Sequence, residues 1–418
     1  MIQIPPPLSL AERDRRWQLA RRLMREERLD ALIVYGDREA AAPAAFAPDC
    51  YFTNDRPGSL VLFVGEDAPL VFTFASMMVA DHIQAAMRGD LQWLAPEQLR
   101  VGKTGRDAGA YLASRGLAGA RVGIIGLEPY PPFYFDGALP CRTMEGLAGA
   151  LARAEFVPVY RAFFALASVK SEEELGLIRY AAHIGEAMSE TLRATARPGV
   201  SEAELVAAVT STCFSMGGYT AEILLGSGPE YVGWGPPAWQ YRSQRPRVLR
   251  EGDIVLSEIF ALYGMMETQH QAAVAVGDVH PDILRAAAVA RECYERGLWA
   301  LHAGNTFGAV VDAMEQPLLE AGGWHVHPLI HSINPYGPVG FGTAPGIECL
   351  PEAGRYVQLQ RLPTVARELE LKPGMCFAFE PNCAFGRHVA NVGGTVIVGD
   401  TAGVELNQNS TRLMQARW

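Results

Sequence analysis

Glu258, Glu267, Gln269 and Gln271 lie in two strand-like runs, "GDIVLSEIF" and "METQHQAAVAVG", joined at a glycine-containing turn. Alternation puts Ile254, Leu256, Glu258 and Phe260 on one face of the first run. It puts Glu267, Gln269 and Gln271 on one face of the second, with His270 on the other. Further on, "HVHPLIHSINPYG" carries His325, His327 and His331 at even separations, so the three could share a face. "GMCFAFEPNC" groups Glu380 with Cys376 and Ala378. Carboxylates and imidazoles gathered at one point can exchange protons with a substrate or hold a divalent metal. A carboxylate buried in a run as apolar as "MCFAFEP" must be paired, hydrogen-bonded or protonated. Burial would tune Glu380 upward for acid–base work. Neutral Gln269 and Gln271 would fix a polar substrate by hydrogen bonds. The plainer alternatives are a structural carboxylate, a histidine edge that only packs and a solvated hairpin face. Trp234, Trp239, Tyr241 and Tyr336 could form an aromatic wall, or simply pack.

The elements that must position these residues show in the same periodicities. Residues 1 to about 165 alternate strand-like runs with helical stretches such as "LAERDRRWQLARRLMREERLD". The runs are "ALIVYG", "SLVLFVG", "PLVFTF" and "RVGIIG", short enough for strands and apolar enough for burial on both faces. A new unit, 166–418, opens at Ser171, which with Glu174 forms a capping-box signature before an apolar stripe at helical spacing. "RPGVSEAELVAAV" stops that helix at Gly199 and caps a second with Ser201 and Glu204. About a hundred residues on, "HAGNTFGAVVDAM" repeats the grammar with Gly304 and Thr306. The weak repeat predicts a pseudo-twofold α/β domain after a smaller α/β domain.

Composition narrows the setting. A chain of 418 residues exceeds one ordinary core. A net charge of −10 with no basic tract argues against nucleic acid. No apolar run is long enough to span a membrane, and "MIQIPPPLSLAERDRR" lacks the pattern of a signal peptide. Seven scattered cysteines, with no paired spacing, fit reduced thiols and a cytoplasmic location.

The phrases "VKSEEELGLIRYA", "RPGVSEAEL", "LREGDIVLSE", "HPLIHSIN" and "LKPGMCFAFEP" together resemble the pita-bread family of creatinase, prolidase, aminopeptidase P and methionine aminopeptidase. The resemblance implies that fold for 166–418 and the small creatinase/prolidase-like domain for 1–165. It also implies where the family's two-metal site would fall. The first aspartate falls on Glu258, the second on Gln269, the histidine on His331 with His327 as an accompanying histidine, and the glutamates on Glu380 and Gly393. Gln269 has lost its charge and Gly393 has no side chain, and a carboxylate-bridged metal pair needs anionic oxygen.

Those losses lead to the expectation of a metal-free, creatinase-like hydrolase acting on a C–N bond of a small polar non-peptide molecule. In that reading Glu380, Glu258 and His331 are catalytic. Gln269, Gln271, Glu267, His327, Tyr336, Trp239 and Arg56 bind the substrate. The resemblance places Arg56 where a small-domain loop reaches a neighbouring subunit, and so implies a homodimer. Creatine itself fits poorly: creatinase's catalytic histidine has no counterpart upstream of "GDI", and its second glutamate falls on Gln271. The alternatives are an Xaa-Pro-type metallopeptidase with a single metal on Glu258, His331 and Glu380, and a non-catalytic binding protein.

Overall fold

The computed structural model describes residues 4–36, 47–128, 137–356 and 362–418. Its contacts divide the chain near residue 168 into two compact units. In the first, six strands form one mixed sheet in the order Leu99–Val101, Leu70–Thr73, Leu60–Val64, Ala31–Tyr35, Arg121–Ile125, Glu155–Pro158. Ala31–Tyr35 pairs antiparallel with Leu60–Val64 and parallel with Arg121–Ile125. Ile33, Leu62, Val122 and Ile124 are fully buried, as runs covered on both faces require. Helix Leu10–Glu26 starts where the Ser9 hydroxyl accepts from the Glu12 amide. Arg56 follows helix Pro48–Thr53, is 45% exposed, and pairs with Asp81 at 2.5 Å.

The second unit, Ser168–Trp418, holds the predicted site residues other than Arg56. Helix Glu172–Thr195 begins with the full capping box of Ser171 and Glu174, and Glu202–Ser215 with that of Ser201 and Glu204. Thr306 caps Phe307–Ala321. Gly199 and Gly304 take φ of +91° and +80° in the turns that precede those two caps. A nine-stranded sheet runs Val339–Gly340, Ile330–Ser332, Cys376–Phe379, Gly393–Ile397, Met266–Ala275, Ile254–Tyr263, Ile223–Gly228, with two short strands attached at its side. On the outer face, Val255, Ile259 and Val274 pack against Ile184, Met188 and Leu192 of the first helix. Phe377, Phe379 and Val396 do the same with Tyr294, Phe307 and Met314. Among the described residues no helix is long and apolar enough to cross a membrane.

His270 belongs to this outer packing, on the face that strand alternation assigns it. Its ring fills the space where Gly185 of the first helix has no side chain; a Cβ there would lie 1.8 Å from Nε2. Burial lowers the His270 pKa to about 3. A histidine depressed in the folded state binds its proton more readily when unfolded. Stability from this group is therefore full above about pH 6.5 and is lost as pH falls toward 3. Between pH 7 and 4.5 the wild type should lose about 3 kcal/mol more unfolding free energy than His270→Gln, at about 1.4 kcal/mol per pH unit. Denaturant titrations at the two pH values check this, and equal losses would refute it.

Candidate active site

Strand register delivers the inner-face side chains to one place. Glu258 pairs with Gln271, Phe260 with Gln269, and Leu262 with Glu267. Gln271 also pairs with Gly393 of the next strand. Glu380 follows the apolar strand Cys376–Phe379, where its amide donates to the Leu329 carbonyl at 2.8 Å. His331 lies opposite Ala378 on the neighbouring strand. Glu258, Glu267, Gln269, Gln271, His327, His331 and Glu380 are all buried.

The hydrogen bonds define what each group offers. His331 Nδ1 lies 2.9 Å from the Ser332 carbonyl oxygen, which can only accept, so Nδ1 carries a hydrogen. Its Nε2 therefore faces the site, 2.9 Å from Glu380 Oε1 and 3.1 Å from Gln269 Oε1. The Gln269 amide donates to Glu267 Oε1 at 2.8 Å and to the Tyr336 hydroxyl at 2.9 Å. Tyr336 also stacks on the His331 ring. Gln271 donates to Glu258 Oε1 at 3.0 Å. His327 Nδ1 lies 3.2 Å from Glu380 Oε2, and its ring stacks on Trp234 with centroids 3.9 Å apart. Glu267 Oε2 and His327 Nε2 are buried with no partner.

Electrostatics split the two central carboxyls. Burial works to raise Glu380, but the charge of His331 and the hydrogen bonds of His327 and His331 outweigh it and hold the carboxyl well below the usual range. Burial and then the Glu380 charge push Glu258, which bonds to Glu380, well above its ordinary value. Burial pushes Glu267 up to about 8. His331 is lowered by burial yet raised on balance by Glu380. The expectation that burial would tune Glu380 upward is thus corrected. Burial does so for Glu258 and Glu267, while two imidazoles keep Glu380 ionised.

Other sequence expectations also need adjustment. The strand expected to align three histidines covers only Ile330–Ser332. His325 and His327 precede it, and His325 turns its Nδ1 to the His327 carbonyl, 2.9 Å away, instead of joining the site. Trp239 sits half-buried on the short helix Ala238–Tyr241 with Nε1 buried and unpartnered, and the exposed Tyr241 bonds Glu222. Neither contacts the cluster through any described hydrogen bond or ring pair. Sequence reading overlooked three buried asparagines. Asn382 donates to the carbonyls of His327 and Glu380 at 3.1 and 3.0 Å and so fixes both backbones. Asn334 holds the Glu267 backbone from both sides. Asn391 donates to Gln271. The signal was there in "EPNC" and "HVANVGG", since an asparagine inside an apolar strand must find partners.

The donor set bears on metal. Gly393 has φ +154°, and a Cβ on it would lie 1.9 Å from the Phe379 carbonyl oxygen, so no glutamate fits there. With Gln269 neutral as well, the residues do not fit a metal pair. They suit one cation by type, although the ligand atoms of Glu258, His331 and Glu380 do not all lie within 4.8 Å of one another and would have to close on it. Two buried carboxyls in contact, the Gln269 oxygen and the inward Nε2 of His331 are all lone-pair donors when deprotonated, and only a proton or a cation reconciles them. Glu380 bridges His331 and Glu258, and Glu258 has one more methylene than the family's aspartate with which to close on an ion.

This arrangement, a two-unit chain with carboxylates and histidine on the inner face of a pita-bread sheet, defines a hydrolase of the creatinase/prolidase class. The family model described as metallopeptidase family M24 matches residues 176–405, and the chain belongs to that family. Dipeptidase PepE from Mycobacterium ulcerans superposes with a TM-score of 0.69 at 19% identity, over 98% of this chain and 100% of that one. Xaa-Pro dipeptidase from Bacillus anthracis gives 0.69 at 17% identity, over 96% and 99%. Prolidase from Pyrococcus horikoshii OT3 gives 0.66 at 16% identity, over 94% and 98%. No curated protein sequence matches the chain. Membership in a metallopeptidase family, with dipeptidases and prolidases as structural relatives, overturns two expectations: an enzyme without metal and a creatinase-like reaction on a non-peptide molecule. Both arose from counting lost ligands, which ignores what the remaining donors still demand.

Proposed function

We propose that the chain hydrolyses the amide bond of a short peptide of the Xaa-Pro dipeptide type, with a single divalent ion held by Glu258, His331 and Glu380. The observation that carries this is the orientation of His331. Its Nδ1–H is committed to the Ser332 carbonyl, so Nε2 points at Glu380 and Gln269 as a metal-ligating imidazole does. The M24 family match and the names of the structural relatives support the peptide substrate. A divalent ion there supplies Lewis-acid polarisation of the scissile carbonyl.

The chain's own groups do the rest. Ionised Glu380 holds His331 and His327 in place. Glu258, raised by burial and by Glu380, would give up its proton when an ion binds and is held for that role by the Gln271 amide. Glu267, at about 8, is protonated at neutral pH, and its unpartnered Oε2 can donate to a substrate oxygen. His327 Nε2, buried and braced by Trp234, is set to accept a hydrogen bond from the substrate. Tyr336 stacks on the His331 ring and Trp234 on that of His327, which holds both imidazoles in place.

The test is steady-state hydrolysis of a panel of Xaa-Pro dipeptides beside matched dipeptides lacking proline. We expect proline-selective turnover that a chelator abolishes. No hydrolysis of any dipeptide in the presence of Mn²⁺, Zn²⁺ or Co²⁺ would sink the reading.

A further inference from the structure

We infer that His280, Asp282 and His388 form a second divalent-metal site on the surface of the larger unit, outside the candidate active site. Among the described residues this is the only trio of His, Cys, Asp or Glu whose ligand atoms all lie within 4.8 Å of one another. His280 and Asp282 stand at the start of helix Pro281–Ala300, and His388 opens the second strand of the hairpin Asn382–Phe385/His388–Asn391. Two imidazoles and a carboxylate are a donor set for a borderline ion such as Zn²⁺ or Ni²⁺, and not for Mg²⁺ or Ca²⁺.

Three independent observations support a ligand here. The His388 Nδ1 is buried and has no partner, although the rest of the ring is accounted for. On its other side Nε2 lies 4.0 Å from Glu230 Oε1, beyond hydrogen-bond reach but close enough for that carboxylate to add negative charge beside the site. The His280 and His388 rings are stacked with centroids 3.8 Å apart and planes at 9°. The stacking holds the two imidazoles side by side, so both stand at the place where an ion would be shared. Stacked rings present parallel lone pairs, and an ion needs them to converge. The His280 side chain is 49% exposed and can turn to meet the ion edge-on, giving up the bond that its Nδ1 accepts from the Asp282 amide at 3.2 Å. The positive end of the helix disfavours a cation, but Asp282 and Glu230 offset it, and Arg387 is already paired with Glu230 and Glu352.

The site would clasp the tip of the hairpin to the helix. The same hairpin carries at its base Asn382, which fixes the His327 and Glu380 backbones, and Asn391, which bonds Gln271. An ion at the tip would therefore steady the strand pair behind the active site.

The test counts ions by difference, so it does not depend on whether the active site also binds one. Full-length wild type, His280→Asn and His388→Gln are dialysed against Zn²⁺, and bound zinc is measured per chain. Asparagine is a good helix N-cap, so His280→Asn keeps the local fold. We expect wild type to hold one more zinc than either variant, and zinc to raise its melting temperature by several degrees more than theirs. Equal zinc in all three, or loss in only one of the two variants, would overturn the site.

Discussion

Glu380→Gln should leave a folded protein whose turnover of its substrate falls about 10²–10⁴-fold, the usual cost of removing a group that moves or organises a catalytic proton. The argument rests on charge more than shape. Gln keeps one oxygen near His331 but ends the ionisation that both imidazoles stabilise. His331, raised on balance by Glu380, would drop back toward the value burial favours. Glu258 would lose the like charge that helps keep it protonated and would ionise more readily. The depressed Glu380 contributes stability above its unfolded pKa that Gln forfeits, and relief at Glu258 offsets part of it. The expected signature is therefore a large kinetic loss with a modest shift in melting temperature, and a pH–rate profile whose acidic limb moves. Wild-type turnover by Glu380→Gln, with Glu258→Gln or His331→Asn inactive, would show that the roles are misassigned.

Gly393→Ala should fail to fold or lose more than about 4 kcal/mol of stability, a magnitude confined to a few named mechanisms. Two act here together. The backbone sits at φ +154°, where L side chains rarely go. The added Cβ would also meet the Phe379 carbonyl oxygen at 1.9 Å and Gln271 Cγ at 3.1 Å. The Phe379 carbonyl cannot yield, because the next residue, Gly394, pairs with Phe379 across the ladder and the Gly393 amide donates to the Ser410 carbonyl. Gly393→Glu should fail in the same way, so restoring the family's carboxylate does not restore a second ion. A soluble His280→Asn/Gly393→Glu protein, its surface site disabled, with two metal ions would refute the claim that this strand has been rebuilt around one. Equilibrium unfolding of the soluble fraction, with circular dichroism, reads the outcome.

Much of this was legible in the sequence for identifiable reasons. Ser171/Glu174 and Ser201/Glu204 announced two helix starts because a capping box is a local device that tertiary contacts seldom override. Period-two alternation placed Glu258, Glu267, Gln269 and Gln271 on one face and His270 on the other, since a ten-residue strand pair leaves no freedom of register. The histidines failed the same rule because only Ile330–Ser332 is strand, so evenness of spacing had nothing to act on. The direction of the Glu380 shift was invisible, because it depends on His331 closing from the neighbouring strand and on His327 approaching from outside it. The preference for an enzyme without metal came from tallying charges. Two carboxyls in contact beside an inward Nε2 cannot be read from spacing.

The most direct test of the central claim is the metal content of full-length His280→Asn, in which the surface site is disabled, purified without chelator. The account predicts close to one equivalent of a divalent transition metal per chain, lost in His280→Asn/Glu380→Gln, with Xaa-Pro hydrolysis rising and falling with occupancy. Two equivalents per chain, or hydrolysis undiminished after the ion is stripped, would contradict it.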